Sequence, residues 1–243
     1  DESINAFQRC IDINNTHSFL FYELSKIYMI QERYFLSTQN IEQAISKEQG
    51  NYWYHILYAE LLYTQNDYSK AAEQYELLIE IDPQNHQLYF MLAETYVYAK
   101  KIKKAIQVYD DLQKKTGFDK LLSMQKHSLY RQLNDISGAL NELELMIKEF
   151  PNDIEAMEIL SELYLLNNEK EKAFEIFKTI SFLDPENGRL HLTLADYYRE
   201  SGDNKTSYKY LKQAFHSLDL DLDTKISVLI SYYRLIGINS EIT

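Results

Sequence analysis

The chain has 243 residues, 45% of them hydrophobic, with a formal net charge of −12, three prolines, six glycines and one cysteine, Cys10. That much apolar side chain can bury a sizeable core, and so few turn formers exclude a many-stranded sandwich or barrel, which leaves an all-α fold as the expectation. The acidic balance argues against nucleic acid or anionic lipid as partner, a single cysteine excludes an intramolecular disulfide or cysteine zinc cage, and no run reaches the roughly 20 apolar residues of a membrane span.

In chain order, helical segments recur with a fixed period. Tyr28, Tyr96, Tyr130, Tyr164, Tyr198 and Tyr232 fall on one 34-residue lattice, with Leu62 on the missing rung. A second lattice holds only small residues, at Ser3, Ser37, Ala71, Ala105, Ala139, Ala173 and Ser207. Pro83, Pro151 and Pro185 share one phase, and each follows an amphipathic run that it stops. A break within the period falls at Asn66-Asp67, Asn134-Asp135 and Gly202-Asp203, where turn-forming and capping residues divide the unit into two helices.

The expected order is a single array. Residues 1–17 form the second helix of a truncated repeat, six full repeats occupy 18–51, 52–85, 86–119, 120–153, 154–187 and 188–221, and a first helix with a short tail fills 222–243. Both ends read as cuts through a longer array, although a terminal solvating helix also accounts for 222–243. The chain starts at Asp1 without a signal-peptide pattern, so the compartment, cytoplasm or periplasm, stays open.

Within the unit the residues resemble the tetratricopeptide repeat family. The third repeat supplies Tyr89, Leu92, Ala93, Tyr96, Ala105, Tyr109 and Leu112 in the motif positions, and the fifth Met157, Leu160, Ser161, Tyr164, Ala173, Phe177, Ile180 and Pro185. First-helix positions 4, 7, 8 and 11 lie on one stripe at 3.6 residues per turn and face the partner helix. The small residue at position 8 (Ala59, Ala93, Ser161, Ala195) permits close backbone approach. The resemblance implies a right-handed superhelical solenoid of antiparallel helix pairs, with first helices on the concave side, that binds proteins or peptides without catalysis.

A different first-helix stripe, positions 2, 5, 9, 12 and 13, carries the candidate groove. Here the first three repeats place Tyr22, Lys26, Met29, Trp53, Ile56, Glu60, Tyr63, Phe90, Glu94, Val97 and Tyr98. This much aromatic area marks either a binding surface or the contact between successive repeats. With Glu60 and Glu94 on adjacent repeats, the expected partner is a peptide or protein, an amphipathic segment bearing a basic residue. The family's carboxylate clamp for acidic chaperone tails is absent: its positions hold Tyr22, Lys26, Leu57, Gln87 and Met91.

Two features depart from this pattern. In the fourth repeat, positions 4, 7 and 8 read Ser123, Lys126 and His127, so its first helix is expected to pack less well, either as a hinge or as a degenerate repeat with a snorkelling lysine. Lys100, Lys101, Lys103, Lys104, Lys114, Lys115, Lys120 and Lys126 form the one basic region, read as a solvated turn with helix-end lysines or as an anionic-partner site. No phosphate loop, nucleophile elbow or metal-type histidine spacing occurs, so no enzyme, cofactor or metal is expected. The rival to a binding scaffold is a structural spacer or self-association module that stacks end to end as a homo-oligomer.

Overall fold

A computed structural model describes the backbone of residues 2–239 and side chains as far as Tyr232. The described residues form fourteen α-helices and no strand: α1 Glu2–Ile13, α2 Ser18–Ile30, α3 Tyr34–Lys47, α4 Tyr52–Thr64, α5 Tyr68–Ile81, α6 His86–Tyr98, α7 Ile102–Thr116, α8 Lys120–Gln132, α9 Ile136–Glu149, α10 Ile154–Leu166, α11 Lys170–Leu183, α12 Gly188–Glu200, α13 Asn204–His216 and α14 Leu222–Asn239. The fold is all-α, built from paired helices as in a tetratricopeptide solenoid: α2 packs on α3, α4 on α5, α6 on α7, α10 on α11 and α12 on α13.

Each first helix is entered through a polar residue and left through a left-handed one. Asn51, Asp119, Asp153 and Asn187 accept a backbone N–H of the first turn, and Asp67, Asp135 and Asp203 do the same for second helices. Glu32, Asn66, Lys100, Asn134, Asn168 and Gly202, one per repeat at 34-residue intervals, all have φ between 56° and 84°. The next residue's N–H reaches back over the turn, as from Asp67 to the Leu62 carbonyl at 2.9 Å and from Lys101 to the Tyr96 carbonyl at 2.8 Å. Asn and Gly tolerate this conformation, whereas Glu32 and Lys100 adopt it without any local signal in their letters.

The small-residue lattice sits at the helix-pair joints: Ala59, Ala71, Ala93, Ala105, Ala139, Ala173 and Ala195 are all 0% exposed. Serine in place of alanine bonds the opposing helix at two of these joints, whereas Ser161 donates to the Glu158 carbonyl of its own helix. The Ser25 and Ser37 hydroxyls lie 2.9 Å apart, each also 2.9 and 2.8 Å from the other's carbonyl, so their two protons are shared among these three contacts. Ser207 donates to the Ala195 carbonyl at 2.7 Å. A bulkier residue at any of these joints overpacks it at a cost of about 1–3 kcal/mol.

Two compact units divide the chain, residues 1–133 and 134–243. The core of the first runs through Leu62, Tyr75, Leu78, Leu92, Tyr96, Tyr109 and Leu112, with a smaller cluster around Ile41, Tyr54, Leu57 and Leu61. That of the second is centred on Met157, Phe174, Phe177, Ile180 and Leu194. The boundary falls inside the fourth repeat, directly after α8. In that helix Ser123, Lys126 and His127 are all buried. Lys126 does not snorkel: its ammonium, 5% exposed, pairs with Asp110 of α7 at 3.0 Å.

Candidate functional site

In the first unit, Tyr22, Lys26 and Met29 of α2, Trp53, Ile56, Glu60 and Tyr63 of α4, and Phe90, Glu94, Val97 and Tyr98 of α6 lie on the predicted stripes. The structure sorts them. Trp53 is 64% exposed and Tyr98 49%; Glu60 and Glu94 are also exposed, and the others are half-buried. Ile56, Tyr63, Phe90 and Val97 lean on the main core, Tyr22 and Met29 on the smaller cluster. Tyr22 packs 5.0 Å from Tyr54 of the next repeat, and Phe90 5.6 Å from Tyr109 of its own repeat, so both hold helices together as well as lining the face.

Four of the predicted residues meet at one cavity. Met29, Glu60, Tyr63 and Glu94, joined by Thr64, Tyr75, Met91 and Thr95, surround about 440 Å³ between α2, α4 and α6, with Tyr75 of α5 behind them. The Tyr63 hydroxyl donates to Glu94 at 3.2 Å. Beside the cavity, Tyr63, Tyr68 and Tyr98 form an aromatic corner: Tyr68 stacks on Tyr98 at 5.3 Å, and Tyr63 meets Tyr98 edge-on at 5.6 Å. Trp53 stands at the other end of α4, edge-on to Tyr52 at 5.4 Å.

The cavity is electronegative. Although Glu60 reaches the surface, the apolar walls around it partly desolvate its carboxyl and raise its pKa from the ordinary value. Burial also pushes up the Tyr75 hydroxyl, and the charges of Glu60 and Glu94 add to the rise. The stripe's one cation, Lys26, is occupied: it pairs with Glu23 at 3.1 Å and lies 5.2 Å over the Tyr22 ring.

Tyr75, Met91, Thr95 and Tyr68 line or flank the cavity although the stripe rule does not select them, and Thr64, at position 13, sits on the stripe without being named as a groove residue. Tyr75 and Tyr68 belong to second helices, and the first-helix period carries no information about which second-helix side chains show through between repeats.

The basic region resolves into separate internal contacts. Lys101 donates to Ser69 at 3.2 Å, Lys104 lies 5.0 Å over the Tyr96 ring, Lys114 pairs with Asp111 at 2.8 Å, and Lys115 donates to the Tyr89 hydroxyl at 2.5 Å. Of the histidines at repeat position 4, His55 is bonded at both nitrogens, to Gln74 at 2.8 Å and to the Gln49 carbonyl at 2.6 Å. His191 bonds Ser181 at 3.1 Å through Nε2 and leaves its buried Nδ1 without a partner. Among the described residues no group of three or more His, Cys, Asp and Glu is placed to hold a metal, and no helix is long and apolar enough to cross a membrane.

Two tetratricopeptide repeat models match the chain, over residues 37–86 and 64–124. Cellulose synthase operon protein C of Pseudomonas fluorescens (strain SBW25) is 27% identical over 186 residues, covering 76% of this chain and 13% of that protein. Stress-induced-phosphoprotein 1 of Caenorhabditis elegans is 26% identical over 160 residues, 63% of this chain and 47% of that protein. The chain thus spans less than half the length of either. Among solved structures, a chain of Naa15/Naa10 bound to HypK-THB superposes with a TM-score of 0.62 at 17% identity, over 95% of this chain and 33% of that one. The C-terminal part of a repeat protein from Cytophaga hutchinsonii superposes at 0.54 and 15% identity, over 92% of each chain. At these identities the structural likeness is one of fold.

Proposed function

We propose that this chain, which belongs to the tetratricopeptide repeat family, holds a peptide or protein segment against the first helices of its N-terminal unit, in a concave groove running past Trp53, Glu60, Tyr63, Glu94 and Tyr98. Repeats of this family serve as protein–protein interaction scaffolds, and the activity proposed is binding without catalysis. The observation that carries it is the coincidence on one stripe of α4 of an exposed tryptophan and a cavity of about 440 Å³. An exposed indole of that size is costly to leave in water and is the side-chain type most enriched at binding hot spots.

The test is selection of peptides from a random display library on the purified chain, read through the emission of Trp53, the sole tryptophan. Trp53→Ala with Tyr98→Ala removes two exposed rings without opening the core, and is expected to weaken selected peptides about tenfold or more. Unchanged affinity in that variant, with unchanged Trp53 emission on binding to the wild type, sinks the groove.

A second reading is self-association. Leu222, Ile226, Leu229 and Ile230 leave one side of α14 apolar and exposed, at 71%, 44%, 55% and 48%. Sedimentation over a wide concentration range decides it: mass that rises with concentration, and falls back when Leu229 and Ile230 are replaced by Lys, supports stacking through α14.

A further inference from the structure

Resting on the groove reading above, we propose that the cavity bounded by Met29, Glu60, Tyr63, Tyr75, Met91 and Glu94 receives one cationic side chain, lysine or arginine, of the bound segment. The argument is one of charge and shape. Glu60 and Glu94 occupy the same position of adjacent first helices, so the repeat brings two carboxylates to a single opening. Glu94 accepts one hydrogen bond, from Tyr63, and a carboxylate has room for several more. Among the described residues Glu60 makes no ion pair, and burial is the one influence that moves its carboxyl, with no cation opposing it.

The field at the cavity floor is therefore uncompensated. Tyr75, 2% exposed, feels both carboxylates, and Lys26, the closest candidate counter-ion on the stripe, is already taken by Glu23. The walls suit the rest of a basic side chain: Met29 and Met91 offer polarizable thioethers to a methylene stem, and Tyr63 adds an aromatic ring to the same wall. A chain of net charge −12 also draws cationic segments toward it over distances longer than the contact itself. An acidic or purely apolar anchor would leave both carboxylates desolvated and unpaired, which is the costly arrangement.

The experiment uses the whole chain with 13C in the methionine ε-methyl groups. Met29 and Met91 line the cavity, while Met124, Met146 and Met157 lie elsewhere and serve as internal controls. Butylguanidinium and butylammonium are titrated against 1-pentanol, a neutral probe of similar shape. The expected result is a saturable shift of the Met29 and Met91 signals with either cation, little shift with pentanol, and loss of the cation response in Glu60→Gln/Glu94→Gln. An equal response to pentanol, a cation response that survives in the double variant, or no saturable cation response overturns the proposal.

A second arm separates this inference from the groove itself. In a display-selected peptide, exchanging arginine for citrulline, or lysine for norleucine, is expected to weaken binding about tenfold on the wild type and not at all on the double variant. A peptide that binds through Trp53 but is indifferent to the exchange leaves the groove standing and removes the cation pocket. Both glutamates are exposed and the exchange is isosteric; should the double variant melt early, Glu60→Gln alone carries the same test.

Discussion

The grooves of the two units are made from the same repeat positions and differ in chemistry. Between α4 and α6, position 9 supplies Glu60 and Glu94 around an open, tyrosine- and methionine-walled cavity. Between α10 and α12, the same position supplies Glu162 and Asp196, but Asp196 is held by Arg199 at 2.9 Å and accepts from the Tyr232 hydroxyl at 3.2 Å. There Phe174 stacks on Tyr197 at 3.5 Å beside a smaller opening of about 340 Å³. A repeat lattice thus determines where side chains stand in each unit, and the side chains chosen decide whether a charge is left over for a partner. In the first unit neither position-9 carboxylate has a cation; in the second Asp196 has Arg199, while Glu162 makes no ion pair among the described residues.

The joints of each unit offer the sharpest ways to break this contrast, and the largest expected effect is in the first. Asp110→Ala removes a carboxylate 3.0 Å from the buried Lys126 ammonium, and is expected to cost about 2 kcal/mol, discounted because Asp110 is itself partly exposed. Lys126→Met, which removes the buried charge itself, should cost less. Urea denaturation of both variants checks the pair; equal losses would mean that Lys126 is held by more than this contact.

In the second unit a tight joint lies at Gly188, whose N–H donates to both oxygens of Asp219, at 3.0 and 3.1 Å. A Cβ there would lie 2.5 Å from the Asp219 Oδ1 and 2.7 Å from the Leu220 Cγ. Gly188→Ala is accordingly expected to destabilise by about 1–2 kcal/mol through overpacking, despite the higher helix propensity of alanine. Thermal unfolding that rises instead would show that the 217–221 segment yields without cost.

Binding measurements sharpen the comparison directly. Asp196→Asn, the counterpart of Glu94→Gln, should leave the affinity of a groove-selected peptide unchanged, because Asp196 already has Arg199. A loss as large as that from Glu94→Gln would place the ligand on both units.

Acid separates the two position-4 histidines. Burial lowers the His191 pKa below the ordinary histidine value, so the folded state holds it neutral while the unfolded chain takes up a proton. Asp219, Asp184 and Glu186 oppose the shift without reversing it. The contribution is fully present above the ordinary value of about 6.5 and is lost as pH falls below it toward the folded pKa. His191→Phe should therefore flatten the fall in melting temperature between about pH 7.5 and pH 5.5. An unchanged slope would assign that fall to other groups.

The smallest effect concerns the left-handed turn. Lys100, at φ 60°, occupies a conformation that glycine reaches without a Cβ clash. Lys100→Gly is expected to stabilise by about 0.5 kcal/mol, the relief of strain exceeding the added chain entropy. Gly202→Ala, at φ 84° in the same repeat position, should do the reverse by a similar amount.

Much of the fold is legible in the letters because the relevant physics is local. Helices paired at 34-residue intervals follow from a period of 3.6, from capping Asn and Asp, and from small residues where two backbones touch. The candidate site was legible only in outline. The stripe rule named Met29, Glu60, Tyr63 and Glu94, which share a cavity, and also Phe90, Ile56 and Tyr22, whose half-buried rings and chains are largely spent on packing against the core. It passed over Tyr75, since a second-helix residue reaches the first-helix face only through the gap that neighbouring helices leave.

By itself, then, the sequence determined the helix order, the repeat length, the residues at each joint and the acidic character of the face. Tertiary structure alone decided that Lys126 is buried against Asp110, that His191 lacks the second partner His55 has, and that Glu60 stands unpaired while Asp196 does not. The reason is physical: helical period is a property of bonds between residues three and four apart, whereas burial and charge pairing depend on which side chains of other helices arrive within a few ångströms.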